Sequence, residues 1–257
     1  MAAIRTAIIT TTMPTIRTEA PATPVEGEAD TSPSSPTLAR LMTWLSPAYP
    51  VGGFSYSHAL EWVVETGAVR DAASLGDWIE DILRIGSGRI DAIFLAEAWR
   101  AVAAGDVKLL DEIAELAAAF VPSAERHLET MAQGTAFLTA TQAVWPHPAL
   151  APLMADGQQV AYPVAVGASA AAHGLPLPAT AQAFVQAFAA NLVSAGVRLI
   201  PLGQTDGLRV IARLEHVIAG VVVRALAASL DDVGGAVIAA DVASMRHETQ
   251  YTRLFRS

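Results

Sequence analysis

From position 38 onward, apolar residues return every three or four positions, and a Gly, a Pro or a capping side chain interrupts the pattern at short intervals. That period is the signature of helices with one buried face. The first helix covers 38–45 and stops at Ser46 and Pro47; the next runs from Ser55 or Ser57 to Thr66 and is closed by Gly67. A side-chain cap between Ser74 and Asp77 opens a third, ahead of Trp78, Ile79, Ile82 and Leu83. Helices over 89–104, ended by Gly105, and 107–120, ended by Pro122, come next, and Ser123 caps a run to position 144. After a break at 145–148 the pattern resumes over 162–173, ended by Gly174, and over 178–200, ended by Pro201. Thr205 or Asp206 caps a helix reaching 230, and a short one lies near 237–243. Strand-like alternation is lacking, and the Val221, Val222, Val223 cluster falls inside a helical period. The pattern predicts an all-α single domain of about ten helices over 37–244.

Residues 1–36 are different. Five of the fifteen prolines lie there among Thr and Ser, without apolar periodicity. Such a segment buries too little surface to offset its ordering entropy, so a disordered extension is expected. Arg5 and Arg17 precede the first acid, Glu19, which leaves a transit-peptide reading open.

Composition removes whole classes of function. The chain has no cysteine, which excludes disulfides, thiolate metal sites and cysteine nucleophiles. Its net charge of −9 and the lack of a dense basic stripe argue against nucleic acid. The single lysine, Lys108, has no phosphate-loop context, so a P-loop nucleotidase is excluded. The longest apolar stretch, 217–230, is broken by Arg224 and is too short to span a bilayer. No secretory signal is visible.

Catalytic patterns fail one by one. His247 and Glu248 begin like a zinc-peptidase motif, but Tyr251 stands where a second histidine is required. The stretch 53–57 misses a nucleophile elbow, because position 57 is Ser rather than Gly. Residues 86–91 fall short of a dinucleotide loop and follow a helix rather than a strand. His58, Glu61 and Glu65 share one helix face at i, i+3 and i+7; a solvated surface is the expected reading, and a cation site the alternative.

Three segments look built for contact. SPAYPVGGFSY (46–56) sets two prolines and two glycines ahead of Phe54 and Tyr56, a stiff turn presenting aromatics. RLIPLGQTDGLR (198–209) breaks a helix at Pro201 and restarts one between Arg198 and Arg209, as a helix corner or an anion site. MRHETQYTRLFRS (245–257) carries Arg246, Arg253 and Arg256 against one acid, Glu248, with Tyr251, Leu254 and Phe255 among them. Arg and Tyr are enriched in interface cores, so this tail reads either as a segment held by another protein or as one docked on its own domain.

SPAYPVGGFSYS (46–57) with Leu60, Glu61 and Trp62, AANLVSA (189–195), RLIPLGQTDG (198–207) and the tail 245–257 together resemble the urease accessory protein F family, from about position 38 to the last residue. Tyr49, where a smaller apolar residue is expected, and the pair His58 and Ala59 depart from the pattern. The resemblance implies an all-α, dimeric, non-catalytic protein without a cofactor. Such a protein bridges a D or H accessory protein and a GTP-binding G accessory protein, and the assembly delivers nickel to apo-urease. A cytoplasmic location is expected. The partner-binding residues expected on this basis are Arg246, His247, Tyr251, Arg253, Leu254, Phe255 and Arg256 of the tail. To these are added Gly52, Gly53, Phe54, Tyr56 and Glu61 at the first motif and Gln204 and Asp206 at the corner. Neither catalytic nor metal-ligating residues are expected. Two alternatives remain: a regulator of the G protein's GTPase through Arg198 or Arg209, and a nickel carrier through His58, Glu61 and Glu65.

Overall fold

A computed structural model describes residues 35–257, and the expected disordered extension lies, but for its last two residues, outside the described residues. The helical period materialises as ten α-helices among the described residues: α1 (Ser35–Trp44), α2 (Leu60–Glu65), α3 (Ala72–Ile85), α4 (Ser87–Ala104), α5 (Val107–Ala119), α6 (Ala124–Val144), α7 (Tyr162–Ala172), α8 (Leu177–Leu199), α9 (Gln204–Ala227) and α10 (Ile238–His247). Short 3-10 turns at Gly53–Ser55, Pro148–Leu150, Pro152–Gly157 and Leu230–Asp232 fill the connections.

Several punctuation marks act as expected. Ser123 caps α6 by accepting from the Arg126 amide, and Gly67, Gly105 and Gly174 end their helices at positive φ. Others differ. The cap of α3 is Asp71, and Ser74 is the third residue of its capping box, so the helix starts earlier than the Ser74–Asp77 signal suggested. α9 starts at Gln204, ahead of the expected cap residues, and its cap position is held by Gly203, which has no side chain to offer; Asp206 lies in the first turn and accepts from Arg209. α1 begins at Ser35, inside the expected extension; Pro36 suits a first turn, where its missing N–H leaves nothing unpaired. α10 continues to His247, so position 245 is not a boundary between body and tail.

The core is organised around α7. Pro163 to Ala170 are all buried, which is the mark of a helix wrapped on every side. Its most extensive packing is on α4, then on α6. Gly167 makes the α4 approach possible: a Cβ there would collide with the Leu95 main-chain carbonyl. At one end Trp44 stands edge-on to Phe137 (5.5 Å) and His173 (5.3 Å), and Tyr49 binds the Thr141 hydroxyl at 2.9 Å. That hydroxyl contact gives the phenol of Tyr49 a partner within the core. Among the described residues no helix is long and apolar enough to cross a membrane.

Because the Gly167 contact is with main chain, rotamer changes cannot relieve it. Gly167→Ala is expected to cost about 3 kcal/mol, the upper end of overpacking penalties, or about 6–12 °C in Tm for a domain of this size. Gly234→Ala, where an added Cβ meets nothing within 4 Å, should change little in the same thermal melts.

Candidate partner-binding site

Two of the segments singled out by sequence, the turn and the tail, meet at the start of α2, and Arg198 of the third reaches them. The chain reaches it through a turn with Gly52 at φ 71°, then through His58 and Ala59, both left-handed at φ 58° and 61°. Two consecutive non-glycine residues in that region are strained by roughly 1–3 kcal/mol each and persist only where the surroundings hold them. The reversal turns His58 inward and leaves Ser57 facing the chain end. The Ser257 carbonyl there accepts from the Ser57 amide (2.7 Å) and hydroxyl (2.5 Å).

The tail lies along this turn and α2. Both carboxylate oxygens of Glu61 are taken by tail amides, Leu254 N–H at 2.7 Å and Phe255 N–H at 2.9 Å. Arg256 N–H donates to the Ser55 carbonyl at 2.9 Å, and Ser257 Oγ donates to Glu129 at 2.5 Å. The Glu125 carboxylate receives Arg253 (2.5 Å) and His247 Nδ1 (2.6 Å), while Gln250 bonds Glu65. Arg198 of α8 donates to the Phe54 carbonyl at 3.0 Å, and its guanidinium lies 4.4 Å over the Phe255 ring. Asn191 reaches the Tyr56 carbonyl at 3.3 Å.

This arrangement divides the expected contact residues into two groups. Phe255 (4% exposed), His247 and Tyr56 are buried in the chain itself, and Arg253 is paired, so these anchor the tail. Tyr251 is fully exposed, Leu254 is 67% exposed and Phe54 68%, with the Arg246 and Arg256 side chains also outward. Those side chains make up the outer surface. Gly52 and Gly53 shape the turn, whereas Gln204 and Asp206 start α9, where Asp206 accepts from Arg209 at 2.7 Å. The solvated face expected for His58, Glu61 and Glu65 is instead a socket: His58 and Glu61 are buried, and Glu65 holds Gln250. Arg198 and Arg209, the arginines considered for GTPase regulation, are both engaged within the chain. Sequence reasoning missed Ser57, Glu125 and Glu129. The available signal was a pair of Glu, Glu steps at i, i+4 (61 and 65, 125 and 129), a like-charge spacing that costs stability unless positive charge meets it. Glu125 is met by Arg253 of the tail and Glu129 by Arg126 of its own helix, while Glu61 and Glu65 are met by tail amides and the Gln250 side chain.

Behind the socket sits a buried polar cluster. His58 Nε2 and Ser87 Oγ are 2.7 Å apart, Arg126 pairs with Glu129, and Asp91 lies alongside. Burial and the Arg126 charge push His58 down to about 4. Burial also works to raise Glu129, but Arg126 and His58 outweigh it and hold that carboxyl well below the usual range. Asp91 keeps some surface open to a cavity, yet burial pushes it up to about 7. Among the described residues no group of three or more His, Asp or Glu side chains is placed to hold a metal ion.

The chain thus has a helical body, a tail anchored by its main chain and an outward surface that includes Tyr251. Comparison with known sequences gives the family. A family profile described as UreF matches residues 69–215. The urease accessory protein UreF of Rhodopseudomonas palustris strain HaA2 is 57% identical over 240 residues, covering 93% of this chain and 99% of the relative. The strain BisB5 protein of the same name is 58% identical, over 87% and 92%. That of Bradyrhizobium sp. strain BTAi1 is 56% identical, over 86% and 92%. The chain belongs to the UreF family of urease accessory proteins, a non-enzymatic family.

The cluster sets an expected pH response. His58, lowered from 6.5 to about 4, binds its proton more weakly when folded, so its contribution to stability grows as pH rises between those values. Asp91, raised from 3.8 to about 7, binds its proton more tightly when folded, so its contribution falls over nearly the same window. The two oppose each other. Asp91→Asn removes the falling part, and stability should then rise from pH 4 to 6.5 by at most about 1.4 kcal/mol per pH unit. Urea unfolding at three pH values checks this; equal slopes in variant and parent would contradict it.

Proposed function

We propose that this chain is a non-enzymatic adaptor of urease maturation. As a homodimer in the cytoplasm it bridges the D or H accessory protein and the GTP-binding G accessory protein, and the assembly inserts nickel into apo-urease. Family membership supports the setting. The observation that carries the adaptor role is the tail: its main chain is fixed on α2, while Tyr251 and Leu254 point into solvent along with Arg246 and Arg256.

Exposed aromatic and aliphatic side chains grouped with arginine fit the centre of a protein interface. Burying Tyr251 and Leu254 on a partner contributes about 1.5–3 kcal/mol each. The ordering cost that normally offsets such a gain is reduced, because the segment is already docked. We assign this surface to the D or H protein, on the family expectation that this partner takes the tail.

Neither side chain contributes to the chain's own core, so function and stability separate cleanly here. Tyr251→Ala combined with Leu254→Ala should weaken binding of the D or H protein by about 2 kcal/mol or more, roughly thirtyfold. The Tm should stay that of the parent. Titration calorimetry with the purified partner reads the first and a thermal melt the second. Affinity within twofold of the parent would remove the tail from the interface.

A further inference from the structure

We infer that the cavity bounded by α4, α5 and α10 is a binding site for a primary alkylammonium ion, whose charge is taken by Asp91 and Asp241. The cavity measures about 250 Å³, and none of residues 245–257 lines it, so the site stands apart from the tail surface. Its lining has two parts. Ile82, Ile90, Phe94, Ala117, Phe120 and Val237 form an apolar wall. Asp91, Asp241, His58 and Arg126 supply the charged and titratable groups. Solvent meets the cavity where Phe120, 40% exposed, and the exposed Gly235 line it.

The charges in that lining do not cancel. Arg126 is paired with Glu129, which neutralises it at close range. Neither the Asp91 nor the Asp241 carboxylate is hydrogen-bonded or ion-paired to a described residue, and Arg126 acts on both only from a distance. Burial pushes Asp91 up to about 7 and Asp241 above its ordinary value. Two inward carboxylates without donors favour a positive occupant, because an unpaired charge away from bulk water is costly. His58 points the same way. It is 6% exposed, and its Nδ1 has no hydrogen-bond partner, with Glu129 3.8 Å off. A buried ring nitrogen left unpaired beside a cavity calls for a polar ligand atom.

The shape of the lining selects the kind of cation. Among the described residues no three His, Asp or Glu side chains are placed to hold a metal ion. Most of the wall is carbon, including the Phe94 and Phe120 rings, 6.3 Å apart and edge-on. A primary ammonium on a short hydrocarbon stem matches both parts: three N–H donors meet the acceptors, and the stem covers the apolar wall. Binding then depends on the charge of Asp91, which is surrounded by His58, Arg126, Glu129 and Asp241. His58, at about 4, and Glu129, held well below the usual carboxylate range, keep their charge states between pH 6 and 8. Asp241, raised like Asp91, acts in the same sense. A cation prefers ionised Asp91, so affinity rises with pH through about 7.

Calorimetric titration of the full chain with n-butylammonium chloride tests the site. At pH 8 it should show saturable binding at one site per chain. Affinity at pH 6 should be about tenfold lower, since an alkylammonium keeps its own charge throughout that range. 1-Butanol, which has the shape without the charge, and tetramethylammonium, which has the charge without N–H donors, should each bind at least about tenfold more weakly. Asp91→Asn and Asp241→Asn should each weaken butylammonium about tenfold, with far-UV circular dichroism reporting the fold. Absence of saturable binding, butanol as tight as butylammonium, or two folded Asn variants with parental affinity would each overturn the assignment. Displacement of the ammonium by equimolar calcium chloride would make this an inorganic cation site and overturn it too. The ligand comparisons use the parent chain, so they decide the matter even where a variant fails to fold.

Discussion

The arrangement of the functional end depends on one carboxylate. Glu61 offers two oxygens, and two successive tail amides occupy both. Charge-assisted bonds to a buried acceptor are about twice as strong as neutral ones, and without those amides the buried Glu61 carboxylate would keep only His247 Nε2, 3.4 Å away. The dependence runs both ways: the tail is held because Glu61 needs donors, and Glu61 is tolerated because the tail brings them. From that point the remaining contacts follow, with Phe255 falling under Arg198, Ser257 reaching Ser57, and Arg253 and His247 sharing Glu125. Of the three tail arginines, Arg253 is answered inside the molecule by Glu125. What remains for other proteins is its uncharged outer side and two arginines.

The fold was legible because it is written in a repeating period and in punctuation. Ser123, Gly105 and Gly174 each carry local chemistry sufficient to start or stop a helix, and they did so. Where two signals compete, neighbouring residues decide: Asp71 outranks Ser74 at the start of α3 because the two form a reciprocal box. The start of α2 was hidden for another reason. Nothing in the residue types of His58 and Ala59 announces a left-handed pair, which is imposed by contacts from distant parts of the chain. The candidate site was half legible. Its tail and turn stood out by composition, but the socket is assembled from glutamates on two helices about sixty positions apart, and such pairing lies in the tertiary structure alone.

Placing ionisable groups in the middle of a helical body carries a cost that the arrangement limits rather than removes. His58 stays neutral, and Arg126 and Glu129 compensate one another. Asp91 is left close to neutral pH, the least settled of the four. These groups contribute little to cohesion compared with well-packed apolar side chains.

Anchoring through main-chain amides has a consequence for how this surface can change over generations. Every amino acid except proline carries the donor that Glu61 requires, so replacements at 254 leave the grip itself untouched. Together with the solvent-facing position 251, that frees two sites of the tail to track a drifting counterpart, while the attachment beneath them stays the same.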